Sequence, residues 1–156
     1  MSFRAGKQAC GNGFVTARTT FPRTLVIEDD PEDAFLLHRA FKDAGISDSV
    51  HFVGGGLEAL DYLRGKQLSP TSASTTLPSL LLLNLRMPDL SGFEVLEWLQ
   101  SQPIEDMTVV VLSGSEQRED VQRAMELGAD YYHVKQADAR KRSELIRLLE
   151  QYLERG

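Results

Sequence analysis

Short runs of apolar residues alternate along this chain with longer segments in which apolar residues recur at every third or fourth position. A short apolar run bounded by polar residues is typical of a buried strand, and the three-to-four spacing is typical of a helix that buries one face. Strand and helix patterns alternate five times. The predicted strands are residues 24–27, 50–53, 79–85, 108–112 and 131–134.

Polar residues and glycines mark where several of the predicted helices begin and end. Asp30-Pro31 supplies an N-cap followed by proline at the first helical position. Ser91 and Glu94 have the spacing of a capping box, and Ser115 is placed to cap a further helix. Glycines that can adopt a left-handed cap conformation end two of the helices, at Gly45 and Gly128.

The order of the elements predicts the fold class. Strands that alternate with helices form a parallel sheet through right-handed crossovers, with helices on both faces. We therefore expect an α/β protein with a doubly wound, five-stranded parallel sheet in a three-layer arrangement. The most apolar stretch, residues 79–85, is expected to be the central strand, and the Ser-, Thr- and Pro-rich residues 65–78 are expected to form a long surface loop.

Composition indicates a single domain with a core of its own. The chain has 156 residues, 42% of them apolar, and its single cysteine, Cys10, leaves no disulfide within the chain. Its apolar runs are far shorter than the roughly 20 residues that cross a bilayer, so we expect a soluble, cytoplasmic protein without a membrane partner. The net charge of −6 argues against a nucleic-acid partner.

Basic residues are concentrated at the N-terminus. The first 23 residues contain four basic and no acidic residues, with scattered glycine and threonine and no sustained apolar spacing. A segment of this kind buries too little apolar surface to fold by itself. We expect residues 1–23 to be a flexible extension and residues 24–156 to be the folded domain.

Chemistry-bearing residues follow four of the five predicted strands. In doubly wound sheets the functional site lies at the carboxyl ends of the strands. The residues there are Glu28, Asp29 and Asp30 after the first strand, Asn84 after the third, Ser113 after the fourth and Lys135 after the fifth. Because carboxylates hold Mg²⁺ while hydroxyl and ammonium groups meet phosphoryl oxygens, this set predicts a site for a hard cation and a phosphate.

Three enzyme classes fit the sequence poorly. A hydrolase would need glycines flanking its nucleophile and a histidine at a strand end, which the segment around Ser113 lacks. The glycine run 54–56 lacks the spacing of a dinucleotide-binding loop. An aspartyl phosphatase would have aspartate where Glu28 stands, two residues before Asp30. We therefore do not expect an enzyme.

Several ordered motifs resemble the receiver domain of bacterial two-component response regulators. They are the strand and acidic pair of residues 24–30, the stretch 80–92 with Met87-Pro88 and its closing glycine, Ser113, and Lys135. The resemblance covers about residues 24–155 and implies a flavodoxin-like receiver fold and a role in two-component signal transduction. The segment 57–63 and the loop that follows it are most similar to the single-domain receivers paired with bacterial phytochromes.

Position 84 departs from the family, in which an aspartate there attacks a phosphohistidine and becomes an acyl phosphate. The amide of Asn84 is not a useful nucleophile near neutral pH, so we expect the usual phosphotransfer to fail. The resemblance implies a Mg²⁺ site made of Glu28, Asp29 and the backbone carbonyl of Arg86, weakened here by the missing charge. We also expect the Arg86 guanidinium to lie near Glu28 and Asp29.

The region around Lys135 contains the remaining family residues. The family usually has proline after the lysine, with a cis peptide bond, whereas this chain has Gln136, for which we expect a trans bond and a shifted loop. The resemblance assigns Ser113 and Lys135 to the phosphoryl group and Tyr132 to a switch that follows the serine hydroxyl. Tyr132 is equally well explained as a tyrosine at the edge of the surface.

Two functions remain open from the sequence. The first is a divergent receiver that works as a protein-interaction module without phosphorylation, presenting its fourth strand and helix, fifth strand and last helix to a sensor kinase or a downstream protein. The second is a conventional phospho-accepting response regulator in a phosphorelay, with Asn84 an engineered substitution. A homodimer through the last helix is a further expectation.

Overall fold

The computed structural model describes residues 23–68, 77–135 and 144–151. Strands and helices alternate throughout these ranges, and a short 3₁₀ turn, Ser47–Ser49, precedes the second strand. The elements are β1 (Thr24–Ile27), α1 (Pro31–Asp43), β2 (Val50–Val53), α2 (Gly56–Leu68), β3 (Leu80–Leu83), α3 (Gly92–Gln100), β4 (Thr108–Ser113), α4 (Arg118–Glu126), β5 (Tyr131–Val134) and α5 (residues 144–151).

The five strands form one parallel sheet in the order β2-β1-β3-β4-β5. This confirms the predicted doubly wound α/β fold and places β3 at the centre. The strand order reverses between β1 and β3, whose last residues, Ile27 and Leu83, are in register. A cleft therefore opens at the carboxyl ends of these two strands, where the acidic pair and position 84 follow.

Apolar side chains from the two faces of the sheet form two separate clusters. Alternate residues of β1 and β3 point to opposite faces, so that both strands are buried on both sides. Helices α2, α3 and α4 contribute to one cluster, and α1 and α5 to the other. Among the helical residues, Leu63, Leu96 and Ala124 belong to the first cluster, and Phe41 and Leu149 to the second.

Most of the predicted helix boundaries are confirmed. Asp30 caps α1 by accepting a hydrogen bond from the Glu32 amide at 3.0 Å, and Ser91 with Glu94 forms the capping box of α3. The expectation that Ser115 caps α4 is wrong: the N-cap is Gln117. The helix begins later because the Ser115 hydroxyl accepts from the Gln117 amide and donates to Asp120, so Ser115 lies two residues before the N-cap. Two glycines with positive φ, Gly45 and Gly128, follow α1 and α4.

The second helix is longer than the sequence indicates. Residues 65–68, expected to begin the long loop, continue α2, because a glycine inside a helix costs only about 1 kcal/mol and the Lys, Gln and Leu that follow are good helix formers. Leu57, in the first turn of α2, is 54% exposed. Residues 69–76 of the predicted loop and residues 1–22 of the predicted extension lie outside the described residues.

No helix within the described ranges is long and apolar enough to cross a membrane.

Asp89 ties the loop between β3 and α3 to the start of α2. Its carboxylate accepts hydrogen bonds from the amides of Gly56 at 3.3 Å, Leu57 at 3.1 Å and Leu90 at 2.7 Å. Desolvation raises the pKa of Asp89, but these amides favour the charged form and hold the pKa below its usual value. Because the loop follows position 84 directly, this contact helps to fix the site.

Gly92 permits the closest backbone approach in the vicinity of position 84. Its amide donates a 2.8 Å hydrogen bond to the carbonyl of Leu85. A Cβ at this position would overlap the carbonyl oxygen of Asn84 and lie 2.8 Å from the Cα of Leu85. The first turn of α3 thus packs directly on the backbone that carries Asn84.

We predict that Gly92→Ala lowers the free energy of unfolding by about 2 kcal/mol, because backbone atoms cannot move aside as a flexible side chain can. The matched control is Gly65→Ala, a helical position with no atom within 4 Å of the new Cβ. There the substitution is expected to raise stability by up to about 1 kcal/mol. Urea denaturation of both variants measures the difference, and equal effects would contradict the packing described here.

Candidate functional site

The carboxyl ends of β1, β3, β4 and β5 bring most of the predicted site residues together. Glu28 and Asn84 are 4% and 6% exposed, and Ser113 is fully buried. The amide of Lys135 donates a 2.7 Å hydrogen bond to the carbonyl of Ser113, which fixes the segment after β5 beside β4. A polar pocket therefore lies at the predicted edge of the sheet.

The side-chain amide of Asn84 lies at the centre of this pocket. Its Nδ2 atom is 2.9 Å from Oδ1 of Asp29, 3.1 Å from the carbonyl oxygen of Arg86 and 3.3 Å from Oε2 of Glu28. Carboxylates and carbonyls only accept hydrogen bonds, so the NH₂ end of the amide must face them. Its two hydrogens serve three acceptors, and these acceptors are the three groups that the sequence predicts as metal ligands.

A Mg²⁺ ion bound to these three oxygens would require a different orientation of the Asn84 amide. The amide nitrogen takes up the three oxygen ligands that the cation would need, and it is a donor rather than a ligand. The described residues contain no group of three or more His, Cys, Asp or Glu side chains that could hold a metal. A cation could enter only after the Asn84 amide turned its nitrogen away from Glu28 and Asp29.

Lys135 binds two of the acidic side chains, those of Glu28 and Asp33, on the side opposite Asn84. Its Nζ atom lies 2.8 Å from Oε1 of Glu28 and 2.9 Å from Oδ2 of Asp33. Burial raises the pKa of Glu28, although the Lys135 ammonium and the Asp30 amide oppose that effect. Desolvation lowers the pKa of Lys135, but the two carboxylates outweigh it and raise the pKa above its usual value. The lysine is therefore held in its charged form.

Asp33 is a residue of this pocket that the sequence analysis missed. It lies in the first turn of α1, where an acidic residue is already explained by the helix dipole. Its spacing from Asp30 gave the only available signal, because a side chain one turn into α1 still faces the carboxyl end of the sheet.

The predicted position of the Arg86 guanidinium is wrong. Its Nη2 atom lies 2.5 Å from Oδ2 of Asp120, in the first turn of α4, rather than beside Glu28 and Asp29. The reason is that Asn84 and Lys135 already satisfy the acidic pair, so the half-exposed arginine is drawn to another carboxylate. Only the backbone carbonyl of Arg86 faces the pocket.

Ser113 and Tyr132 both contact Ser115 in the loop after β4. The hydroxyl of Ser113 accepts a 3.1 Å hydrogen bond from the Ser115 amide, and the Tyr132 hydroxyl donates to the Ser115 carbonyl at 2.9 Å. The Ser115 hydroxyl in turn donates to Asp120 at 2.6 Å. The half-buried tyrosine is thus attached to the loop. The sequence analysis singled out Ser115 only as a helix cap and did not identify Asp120.

The histidines lie away from this pocket, within α1, β2 and β5. His38 packs against the ring of Phe52 with 5.5 Å between centroids, and His51 stacks on Tyr62 at 4.5 Å. Burial lowers the pKa of His133.

The sequence profile of the family described as the response regulator receiver domain matches residues 24–147. The probable methanogenesis regulatory protein FilR2 of Methanothrix harundinacea is 34% identical over 71% of this chain and 70% of its own length. The crystal structure of the phosphorylated cyanobacterial phytochrome response regulator RcpA superposes with a TM-score of 0.72 at 28% identity, covering 84% of this chain and 92% of that one.

A further solved structure is similar and contains a divalent cation. It is the Mn²⁺-bound form of response regulator Rcp1, a protein of Synechocystis, with a TM-score of 0.70 and 26% identity. The match covers 85% of this chain and 94% of that one. The resemblance of this chain to phytochrome-associated single-domain receivers is thereby confirmed.

We predict that Lys135→Met lowers the free energy of unfolding by about 2 kcal/mol, because it leaves the buried Glu28 carboxylate without its cation. The control is Glu97→Gln, which removes an exposed ion pair to Arg123 with 3.8 Å between the charged atoms and is expected to cost less than about 0.5 kcal/mol. Chemical denaturation of both variants decides this. A Lys135→Met variant as stable as the control would contradict the stabilising role of Lys135 beside Glu28.

Proposed function

Because the chain belongs to the receiver domains of two-component response regulators, we propose that it is a divergent receiver that acts as a protein-interaction module without phosphorylation at position 84. One observation carries the proposal: the Asn84 amide donates to Glu28, Asp29 and the Arg86 carbonyl. These are the groups that would otherwise need a cation. The chain's own Asn84 amide thus supplies hydrogen bonds to these groups, and Lys135 supplies one positive charge beside Glu28.

The chemistry of the residue at position 84 is the reason for proposing that phosphotransfer fails. Phosphotransfer to a receiver needs a carboxylate oxygen that attacks phosphorus and keeps the phosphoryl group as an acyl phosphate. The nitrogen lone pair of an amide is delocalised into the carbonyl, and its oxygen carries no full charge, so Asn84 offers no comparable nucleophile. Lys135 and Ser113, which would meet phosphoryl oxygens, are engaged with Glu28 and Ser115 respectively.

Divalent cation binding is proposed to be weak. Receiver domains bind Mg²⁺ or Mn²⁺, as the Mn²⁺-bound Rcp1 illustrates. In this chain Glu28, Asp29 and the Arg86 carbonyl would hold the ion, which would supply positive charge opposite a phosphoryl group. Two features oppose its binding: one carboxylate is missing at position 84, and the Asn84 amide must first give up its hydrogen bonds.

Output is proposed to pass through protein contacts. Receiver domains interact with kinases or other proteins, and we propose a sensor kinase or a downstream protein as the partner, in the cytoplasm. The proposed surface consists of β4, α4, β5 and α5. The same surface is proposed to form a homodimer. In this proposal, residues 24–156 form the receiver domain, residues 1–23 form an extension, and the protein has no enzymatic activity and no nucleic-acid or membrane partner.

The conventional phospho-accepting receiver is the second candidate. Glu28, Asp29, Ser113 and Lys135 all stand where such a receiver needs them. In this candidate Asn84 is an engineered substitution, so the native gene distinguishes the two: an asparagine codon at position 84 would exclude the second.

We predict that the protein gains no phosphoryl group when it is incubated with acetyl phosphate and Mg²⁺, whereas Asn84→Asp gains one that hydroxylamine removes. Intact-mass spectrometry is the measurement. Asn84→Ala is the control, because it removes the amide without supplying a nucleophile. A hydroxylamine-labile phosphoryl group on the unsubstituted chain would overturn the proposed function.

A further inference from the structure

Arg86 connects the loop after β3 to the first turn of α4. Its guanidinium is bonded to Asp120, whose side chain is 12% exposed although the residue begins a surface helix. The arginine side chain is itself 65% exposed, so the apolar core does not hold it in this position. An isolated exposed ion pair contributes little to stability. The effect of the pair between Arg86 and Asp120 therefore depends on the other groups to which Asp120 is bonded.

Asp120 is attached to the loop between β4 and α4, residues 114–117. The same carboxylate oxygen that meets Arg86, Oδ2, accepts a 2.6 Å hydrogen bond from the Ser115 hydroxyl. That hydroxyl also accepts from the Gln117 amide at 3.2 Å. The loop is therefore bonded to the arginine through a single carboxylate.

Every polar group of Ser115 has a partner in this arrangement. Its amide donates to the Ser113 hydroxyl at 3.1 Å, and its carbonyl accepts from the Tyr132 hydroxyl at 2.9 Å. The position of Tyr132 on β5 and the position of the loop are thus set together. A displacement of Ser115 would break bonds to β4, β5 and α4 at once.

We propose that Arg86 is a positioning residue that holds the β4–α4 loop and Tyr132 in one arrangement without a phosphoryl group. The inference rests on the proposed function, in which no phosphoryl group is available to draw the loop toward the site. It identifies Arg86 as the residue that holds the loop in place of a phosphoryl group. Arg86 can serve this purpose because Glu28 and Asp29 are bonded to Asn84 and Lys135 rather than to Arg86.

The test uses the full chain and NMR. In Arg86→Gln, amide hydrogen exchange at Ser115 is expected to be about tenfold faster than in the unsubstituted protein, because local opening of the loop no longer breaks an ion pair. The ring signals of Tyr132 are expected to shift in the same variant. Arg86→Lys is expected to restore part of the protection.

The matched control is Arg118→Gln, which removes the same charge from the first residue of α4, where the arginine is exposed. It is expected to leave both signals unchanged. Asp120→Asn serves as a second variant if Arg86→Gln does not fold, and it is expected to give the same two changes. Signals of β1 amides identify folded samples.

The proposal is overturned if Arg86→Gln leaves either the Ser115 exchange rate or the Tyr132 signals as in the unsubstituted protein, or if Arg118→Gln changes them equally. These outcomes are independent of the proposed function. Phosphorylation of the unsubstituted chain would refute that function without altering the exchange comparison, and a negative exchange comparison would leave the chemistry of Asn84 untouched.

Discussion

The hydrogen bonds from the Asn84 amide to the acidic pocket are the interaction on which the rest of the site depends. Two carboxylates and a carbonyl converge at the carboxyl ends of β1 and β3 because the order of parallel strands reverses there. Acceptors gathered in a buried place must be compensated by a donor or a cation. Asn84 supplies two N–H groups and Lys135 one positive charge, so hydrogen bonds and a single ammonium together compensate the carboxylates of this pocket in part.

These bonds within the pocket also explain why the two cationic side chains near it bind different carboxylates. Lys135 is bound between two carboxylates, while Arg86 pairs with Asp120 and so contacts the loop after β4. Through Asp120 and Ser115, Arg86 connects the loop after β3 with Tyr132 on β5.

The sequence predicted the fold almost completely, because each strand is a distinct apolar run and the caps of α1 and α3 are local signals. It also predicted which residues meet at the strand ends, since parallel strands must bring them there. It did not predict where long side chains go. The guanidinium of Arg86 was expected beside Glu28, yet it reaches Asp120, because that choice depends on which carboxylates are already paired in three dimensions. The contact between Ser115 and Tyr132 was missed because it joins a side chain to a loop carbonyl 17 residues away, for which the sequence has no local signal.

The most direct test of the central claim compares the free energy of unfolding in EDTA and in excess Mg²⁺. If the Asn84 amide takes the place of a cation, Mg²⁺ binds weakly and stabilises the unsubstituted protein less than it stabilises Asn84→Asp. The Asn84→Asp variant is expected to be less stable by about 2 kcal/mol in EDTA, where a third carboxylate joins the pocket, and to recover when Mg²⁺ binds the native state. Stabilisation of the unsubstituted protein by Mg²⁺ to the same extent as the variant would contradict the account.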